Sequence, residues 1–488
     1  MKIYSLTQHN FETEVFEIEV SLMSGLPQIL ILGQADSLVK ESIPKIQSAI
    51  KSQGFRLPKA QHVLVDLKPQ HIKKNNHGLE LAVATAILIE TKQIRLQSSS
   101  RKPWLIVGNI SLKGEVTRAY ESLDEFKNLL DYEVLAGPNT KMKCGHFEVE
   151  NLRDLKCLRW IEPLEQEVSV TSTVNLPKLK FSKSASRLIE ILAIGEHPCL
   201  LAGSVGSGKS TIAATTAKLL ESPKEQDIEE IQKAQKYFRQ NRQRKFVTRP
   251  EVVVHHSIST IAFLGGGSDL HPGEITRAHK GTLIMDEFMQ FDSEIQDALR
   301  EPLENAKLTV ARKGQFIEFP ADVFLMATTN LCPCGQYAMN SERACRCSQA
   351  KLKAYLSRLL GPCIDRFQIL GFSSAWESQT KEIETVDLND EIKKSIEYRI
   401  AFRKQVTPNS KLSNLELAES MDHKFINDYY KLEFLSERRQ LALKRVARTI
   451  ADLEKSERVR IQHFNEALSL SVAPFQWLEQ AQKASARI

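Results

Sequence analysis

An apolar run at 198–202 leads straight into Gly203-Ser204-Val205-Gly206-Ser207-Gly208-Lys209-Ser210, and a helix-forming stretch follows from Thr211. No other segment constrains the fold as tightly. The spacing G-x-x-x-x-G-K-S asks for a strand, a turn whose glycines rotate backbone N–H groups inward, and a helix whose N-terminus closes the turn. Such a cradle takes phosphate oxygens. The helix offers its positive dipole end, Lys209 a point charge for the β- and γ-phosphates, and Ser210 a hydroxyl ligand for Mg²⁺. A strand, glycine-rich turn and helix open a parallel α/β module, so a nucleotide-binding domain of that class is predicted. The competing reading is a glycine-rich helix entry with no ligand, which the strand before it and the helix after it disfavour.

The rest of such a site has to come from other strand ends. The run 281–288, GTLIMDEF, supplies an apolar strand ending in Asp286 and Glu287. Asp286 suits Mg²⁺, and Glu287 suits polarising an attacking water, because phosphoryl transfer needs a positioned nucleophile and charge stabilisation. By itself an apolar run followed by two acids is usually only a strand end; the phosphate loop upstream gives it meaning. A third strand, 323–330 (VFLMATTN), ends in Asn330, which is placed to meet the γ-phosphate and the water, with Thr329 as the rival. Arg366, in GPCIDRF (361–367), is a candidate finger offered to a neighbouring subunit's γ-phosphate. An isolated arginine is more often a structural ion-pair partner, and Arg358 competes for the role.

Around these motifs the chain divides by pattern. Residues 1–165 alternate strands (15–20, 28–32, 62–67, 104–108) with apolar helices near 36–54 and 79–89, as in an α/β or α+β domain. Residues 166–185 are polar, lack helical period and read as a linker. Residues 186–375 hold the phosphate-loop module, and 376–488 is helical in pattern throughout. The basic run 235–245 (QKYFRQNRQRK) reads first as a solvated helix face. With 66 Lys and Arg against 60 Asp and Glu, the net charge of +6 allows a nucleic-acid partner without requiring one. No apolar run approaches the roughly 18 residues of a membrane span and no signal peptide opens the chain, so a cytoplasmic protein is expected. Without secretion the eight cysteines do not read as a disulfide framework. Cys332, Cys334, Cys345 and Cys347 form two C-x-C pairs and are a candidate Zn²⁺ site, since four thiolates suit tetrahedral coordination. The spacing is tighter than the usual C-x₂₋₄-C, and small residues in a loop are the alternative. His255-His256 reads as a core or loop pair and is given no catalytic role.

Taken in order, HHSIS (255–259), FLGGGSDLHPGEITRAHKGTLIMDEF (263–288), PLEN (302–305), TNLCPCG (329–335), CRC (345–347), GPCIDRF (361–367) and LKRVARTIADLE (443–454) resemble the magnesium-chelatase-like AAA+ ATPases of the YifB/ComM family. SGLPQILILGQADSLVKES (24–42), VDLKPQHIKKNNHGLELAVATAIL (65–88) and VGNISLKGEV (107–116) extend the likeness over essentially the whole chain. The resemblance implies an α/β P-loop AAA+ module with a helical lid, preceded by a Lon-protease-like (ribosomal S5 domain 2-like) domain. A Lon-type peptidase needs a serine paired with a lysine. The segment 73–82, KKNNHGLELA, has no serine where that nucleophile would fall, so peptidase activity is excluded and a role in assembly or substrate engagement is expected.

Carried over residue by residue, the resemblance assigns Lys209 and Ser210 to phosphates and Mg²⁺, Asp286 and Glu287 to metal and water, Asn330 to the sensor and Arg366 to the finger. Arg438, in LSERRQL (435–441), matches the arginine that the lid sends to the nucleotide; Arg439 stands where the family usually has glycine, and Leu331 where it has proline. TVARKGQFIEFP (309–320) resembles a hairpin that related ring helicases point into their channel, with Arg312 and Lys313 at its tip as candidate contacts for a DNA backbone; an ordinary exposed hairpin is the alternative. The function implied is an ATP- and Mg²⁺-dependent ring, a hexamer, moving DNA in recombination or natural transformation. Two other classes compete: a chelatase motor subunit driving metal insertion by a partner, and a nucleotide-gated scaffold. The intact Asp286-Glu287 pair speaks against the scaffold.

Overall fold

The computed structural model describes residues 2–9, 12–32, 37–69, 78–97, 102–120, 123, 126, 128–142, 144–163, 179–235, 238, 248–267, 270–312, 315–337, 345–361, 363–376, 382–421 and 435–484. The chain forms two units, Met1–Val168 and Ser169–Ile488.

The first unit is built on an eight-stranded mixed sheet in the order Arg159–Ile161, His146–Glu148, Glu133–Ala136, Trp104–Val107, Ile3–His9, Glu12–Ser24, Gln61–Lys68, Gln28–Leu32. The helix Leu79–Glu90 is apolar around its whole circumference and is buried from Leu79 to Leu88, as a helix without a polar face must be. Its buried acid, Glu80, is held by Lys45 Nζ at 2.8 Å and by the amide of Ile110 at 2.9 Å. Residues 73–77, which precede this helix in the segment read for a nucleophile, lie outside the described residues.

The second unit holds five parallel strands: β1 (Cys199–Ala202), β2 (Glu251–Val254), β3 (Thr282–Met285), β4 (Phe324–Thr329) and β5 (Ile369–Phe372). Their order is β2-β3-β4-β1-β5. β1, β3, β4 and β5 are buried at every position, because helices cover both faces; only the edge strand β2 alternates. Alternate side chains divide two cores. Cys199, Leu201, Ile284, Phe324 and Met326 face one, and Leu200, Ala202, Leu283, Leu325 and Ala327 the other. The chain leaves β1 for the far edge and returns beside it, so the crevice beyond the carboxyl end of β1 is where such a sheet binds ligands.

Two expectations change. The segment read as a linker ends in a strand, Lys180–Ser182, paired antiparallel with Glu382–Glu384, and a helix, Lys183–Gly195, starts from the Ser182 cap. Residues 164–178 lie outside the described residues. Glu382–Glu384 is also a strand inside the region read as wholly helical. Each strand is three residues long and is stabilised by a partner some two hundred positions away, which local periodicity cannot register. The C-terminal helices Glu437–Leu453 and Ile461–Ser471 lay Leu443, Val446, Ile450 and Phe464 into the same core as Ile189 and Leu192.

A buried polar network ties those helices to the sheet. Asp452, fully enclosed, accepts from Arg448, Arg403 and Asn409. Asn409 also donates to Thr449, whose Oγ1 lies 2.7 Å from His197 Nε2. Gln368 turns its oxygen to His197 Nδ1 at 2.6 Å, because its Nε2 is committed to the Ser410 carbonyl. Nδ1 therefore carries a proton, and burial favours the neutral ring. Burial pushes its pKa down from 6.5 to about 4. The native state thus binds fewer protons than the unfolded chain, so this stabilisation is complete above about pH 6.5 and is lost as pH falls toward 4. We expect urea unfolding of this unit to show about 3 kcal/mol lost through His197 between pH 7 and pH 4, from a shift of about 2.5 units. A His197→Gln variant with the same pH dependence as wild type would refute this.

Candidate functional site

The phosphate loop occupies the crevice. Its first amide, Gly203, donates to the Thr329 carbonyl of β4 at 3.2 Å, and a side chain at Gly203 would run into Ser373. Gly206 and Gly208 both adopt left-handed φ, +81° and +83°, and no heavy atom lies within 4 Å of where their Cβ atoms would stand. The loop is thus open on the side where phosphates would lie. Lys209 begins the helix Lys209–Lys218 and is buried; its ammonium is held by the Gly203 and Ser204 carbonyls at 3.0 and 2.6 Å. Trp376 donates its indole N–H to the Ser207 carbonyl at 2.8 Å, bracing the loop from outside.

Ser210 and Asp286 meet directly: the hydroxyl donates to Asp286 Oδ1 at 3.1 Å. Thr328, on β4, donates to the same oxygen and accepts from the Glu287 amide at 3.2 Å. One threonine thereby orients both acids. Glu287 takes a left-handed backbone, φ +56° and ψ +47°, which swings its half-exposed carboxylate away from the strand. His256 Nδ1 lies 3.7 Å from that carboxylate, and the His255 and His256 rings stack at 4.1 Å. Ser210, Asp286 and Thr328, brought from a helix and two strand ends to one oxygen, are suited to hold a divalent cation beside phosphates: hydroxyl and carboxylate oxygens are the hard ligands Mg²⁺ takes.

Of the two sensor candidates, Thr329 is buried and engaged by Tyr355 Oη at 3.1 Å. The Asn330 side chain is 3.7 Å from the point where a Gly335 Cβ would sit, and Val205 of the phosphate loop is 2.6 Å from it, so Asn330 is brought to the loop. Beyond Asn330 the sulfur atoms of Cys332, Cys334, Cys345 and Cys347 all fall within 4.8 Å of one another. Cys332 to Cys334 is 3.3 Å, Cys334 to Cys345 3.6 Å and Cys345 to Cys332 3.7 Å. Four sulfurs bound tetrahedrally to zinc at about 2.3 Å stand about 3.8 Å apart, so these spacings, longer than a disulfide bond, are ones that four thiolates around one metal ion could adopt. Backbone amides, that of Gln336 first, bring the Cys334 thiol down to about 6, while burial raises Cys345 to about 12.

The arginines gather elsewhere. Arg366 reaches Glu304 at 3.0 Å, and Arg438 donates to the same carboxylate at 2.7 Å. Where the resemblance sends Arg438 toward the nucleotide, the structure turns it to Glu304 and Asp365, beside Arg366. Arg439 explains the departure from glycine: it is buried, bonds the Phe367 and Ser471 carbonyls and Asp365, and stacks on Phe475 at 3.6 Å. Arg358 donates to the Met289 carbonyl, a structural contact. The hairpin Lys307–Arg312 and Gln315–Pro320 pairs Arg312 with Gln315 in its backbone register. Lys313, the Arg312 side chain and nearly all of 235–245 lie outside what is described.

Sequence reasoning missed Thr328, Trp376, Glu304 and His256. Two hydroxyls closing an apolar strand were a signal for Thr328, and a strand end for His256. Trp376 and Glu304 carry no pattern of their own.

Three family models match: "Magnesium chelatase, subunit ChlI" over residues 175–380, "Subunit ChlI of Mg-chelatase" over 18–131, and "Magnesium chelatase, subunit ChlI C-terminal" over 385–471. The uncharacterized protein YifB of Salmonella typhimurium is 31% identical over 484 residues, covering 93% of each chain. The competence protein ComM of Haemophilus influenzae is 28% identical over 504 residues and 96% of each, and YifB of Escherichia coli 29% identical over 93% of each.

Thr328→Val keeps shape and removes the bond to Asp286 and the acceptor for Glu287. The expected outcome is a roughly tenfold rise in the Mg²⁺ concentration giving half-maximal ATP hydrolysis, from the loss of one charge-assisted bond. Titration of Mg²⁺ at saturating ATP checks it, and an unchanged midpoint would discount the role.

Proposed function

Because the chain belongs to the magnesium-chelatase-like family of AAA+ ATPases that contains YifB and ComM, we propose that it hydrolyses ATP with Mg²⁺ as a cytoplasmic, ring-forming motor acting on DNA. The observation that carries the ATPase reading is the convergence of Ser210, Asp286, Thr328 and Glu287 at the open side of the phosphate loop. Lys209 would pass from the loop carbonyls to the β- and γ-phosphates. Ser210 and Asp286 would hold Mg²⁺, Glu287 would orient the attacking water, and Asn330 would sense the γ-phosphate. Mg²⁺ supplies charge neutralisation between the phosphates. A cavity of about 770 Å³ shares the Trp376 wall with the loop and is lined also by Arg187, Leu370 and Phe372; it has room for the nucleoside.

Arg366 and Arg438, gathered on Glu304 away from the loop, would serve a neighbour's nucleotide, which makes a closed ring, a hexamer, the active form. DNA as the substrate rests on the likeness to a competence protein and on the hairpin that carries Arg312 and Lys313. The first unit would serve assembly or substrate engagement, and the cysteine quartet would hold a structural Zn²⁺. The chelatase reading, metal insertion with a partner, is favoured by the family models' own descriptions and is separated by experiment.

Steady-state hydrolysis with and without single-stranded and four-way-junction DNA tests the proposal. Severalfold stimulation by DNA is expected, with Glu287→Gln lowering the rate by about 10²-fold or more. Hydrolysis indifferent to DNA at low salt would remove the DNA motor and leave the ATPase. For the arginines, mixing Lys209→Ala with Arg366→Ala subunits should recover part of the activity that each lacks, since some interfaces then combine a wild-type loop with a wild-type finger. No recovery would place Arg366 in its own subunit's chemistry or outside it.

A further inference from the structure

The cysteine quartet lies against the phosphate loop. Cys332 comes two residues after Asn330, at the end of the strand whose Thr329 carbonyl takes the Gly203 amide. The Cys332–Gly335 turn is closed by the Gly335 amide on the Cys332 carbonyl at 3.0 Å. Gly335 has left-handed φ, +72°, and its carbonyl accepts from the Val205 amide at 3.3 Å. A side chain at Gly335 would press on Val205 Cγ2 at 2.6 Å. The turn is therefore in close contact with the loop at Val205, and the space beside Gly206 and Gly208 stays clear.

The start of the turn is buried at Leu331 and Cys332, and Tyr337 packs on the same core. Cys332 Sγ accepts from the Tyr337 amide, and Tyr337 stacks on Trp477. Cys345 and Cys347 belong to a separate segment, joined to the turn through sulfur contacts and through amides on sulfur. Thiol contacts are weak hydrogen bonds, whereas four thiolates on one divalent cation form a covalent-strength clamp.

We propose that the metal held by Cys332, Cys334, Cys345 and Cys347 sets nucleotide affinity, by clamping the turn whose Gly335 carbonyl anchors Val205 of the phosphate loop. This rests on the nucleotide and zinc readings above. With the clamp in place the loop is preorganised for phosphates; without it, ordering the loop is charged against binding. Loss of an anchor of one hydrogen bond weakens binding by roughly threefold to tenfold.

The experiment uses the full chain, with metal measured by mass spectrometry and a fluorescent ATP analogue titrated in constant Mg²⁺. About one zinc per chain is expected. Stripping zinc should weaken the analogue by that factor, and returning zinc should restore it. Cys347→Ser, which removes a ligand with no bond to the loop, should lose zinc and weaken binding equally. Gly335→Ala should keep its zinc and still bind nucleotide less tightly; it serves if the cysteine variant does not fold. Zinc present with affinity indifferent to its removal would overturn the coupling and leave the metal site. No zinc in protein that binds the analogue would overturn the coupling together with the metal site. A zinc-loaded chain that binds no analogue would overturn the nucleotide reading, and the coupling with it.

Discussion

One carboxylate oxygen organises the site. Asp286 Oδ1 takes hydrogen bonds from Ser210, at the start of the phosphate-loop helix, and from Thr328, on the neighbouring strand. Three segments from different parts of the chain are thereby set in register at the carboxyl edge of the sheet. A further bond, Glu287 amide to Thr328, turns the next acid outward through a left-handed backbone. A carboxylate that accepts two hydroxyls is desolvated on one side and open on the other, which is the arrangement a hard cation displaces into. The rest of the sheet keeps these strand ends fixed: β1, β3 and β4 are buried along their lengths and cannot shift without opening two cores at once.

The loop itself is held from three directions. Thr329 takes the Gly203 amide, Trp376 reaches the Ser207 carbonyl, and Gly335 takes the Val205 amide. Gly206 and Gly208 face open space. Anchoring the loop's flanks while its glycines stay clear lets it meet phosphates with little reorganisation, and fixed donors are worth more than mobile ones at a charged ligand. The cysteine turn is one of these anchors, so the thiol cluster and the phosphate loop are joined through a few atoms.

Much of this was legible beforehand for a definite reason. Motifs such as Gly203–Ser210 and 281–288 are contiguous, and their chemistry depends on short-range spacing. Three of the five parallel strands, β1, β3 and β4, follow from apolar runs; β2 and β5 were not read from the sequence. Thr328 was half-legible, as a hydroxyl at the end of an apolar strand. Trp376 and Glu304 were not legible at all, because each acts on a residue far away in the chain and neither interrupts a local pattern. The end of the linker segment was misread in the same way: Lys180–Ser182 looks polar and irregular until Glu382–Glu384 pairs with it.

Residue identity alone therefore determined the chemistry on offer: a glycine-rich phosphate loop, two acids after an apolar strand, four thiols in two pairs, arginines near the end of the module. Tertiary structure decided which of these meet. It put Ser210 and Asp286 on one oxygen, gathered the four sulfurs beside Val205, and drew Arg438 to Arg366 on Glu304 rather than to the loop. The physical reason is that spacing along a chain fixes only what one turn, strand or helix can bring together, whereas contacts between strand ends depend on the order in which the strands pack.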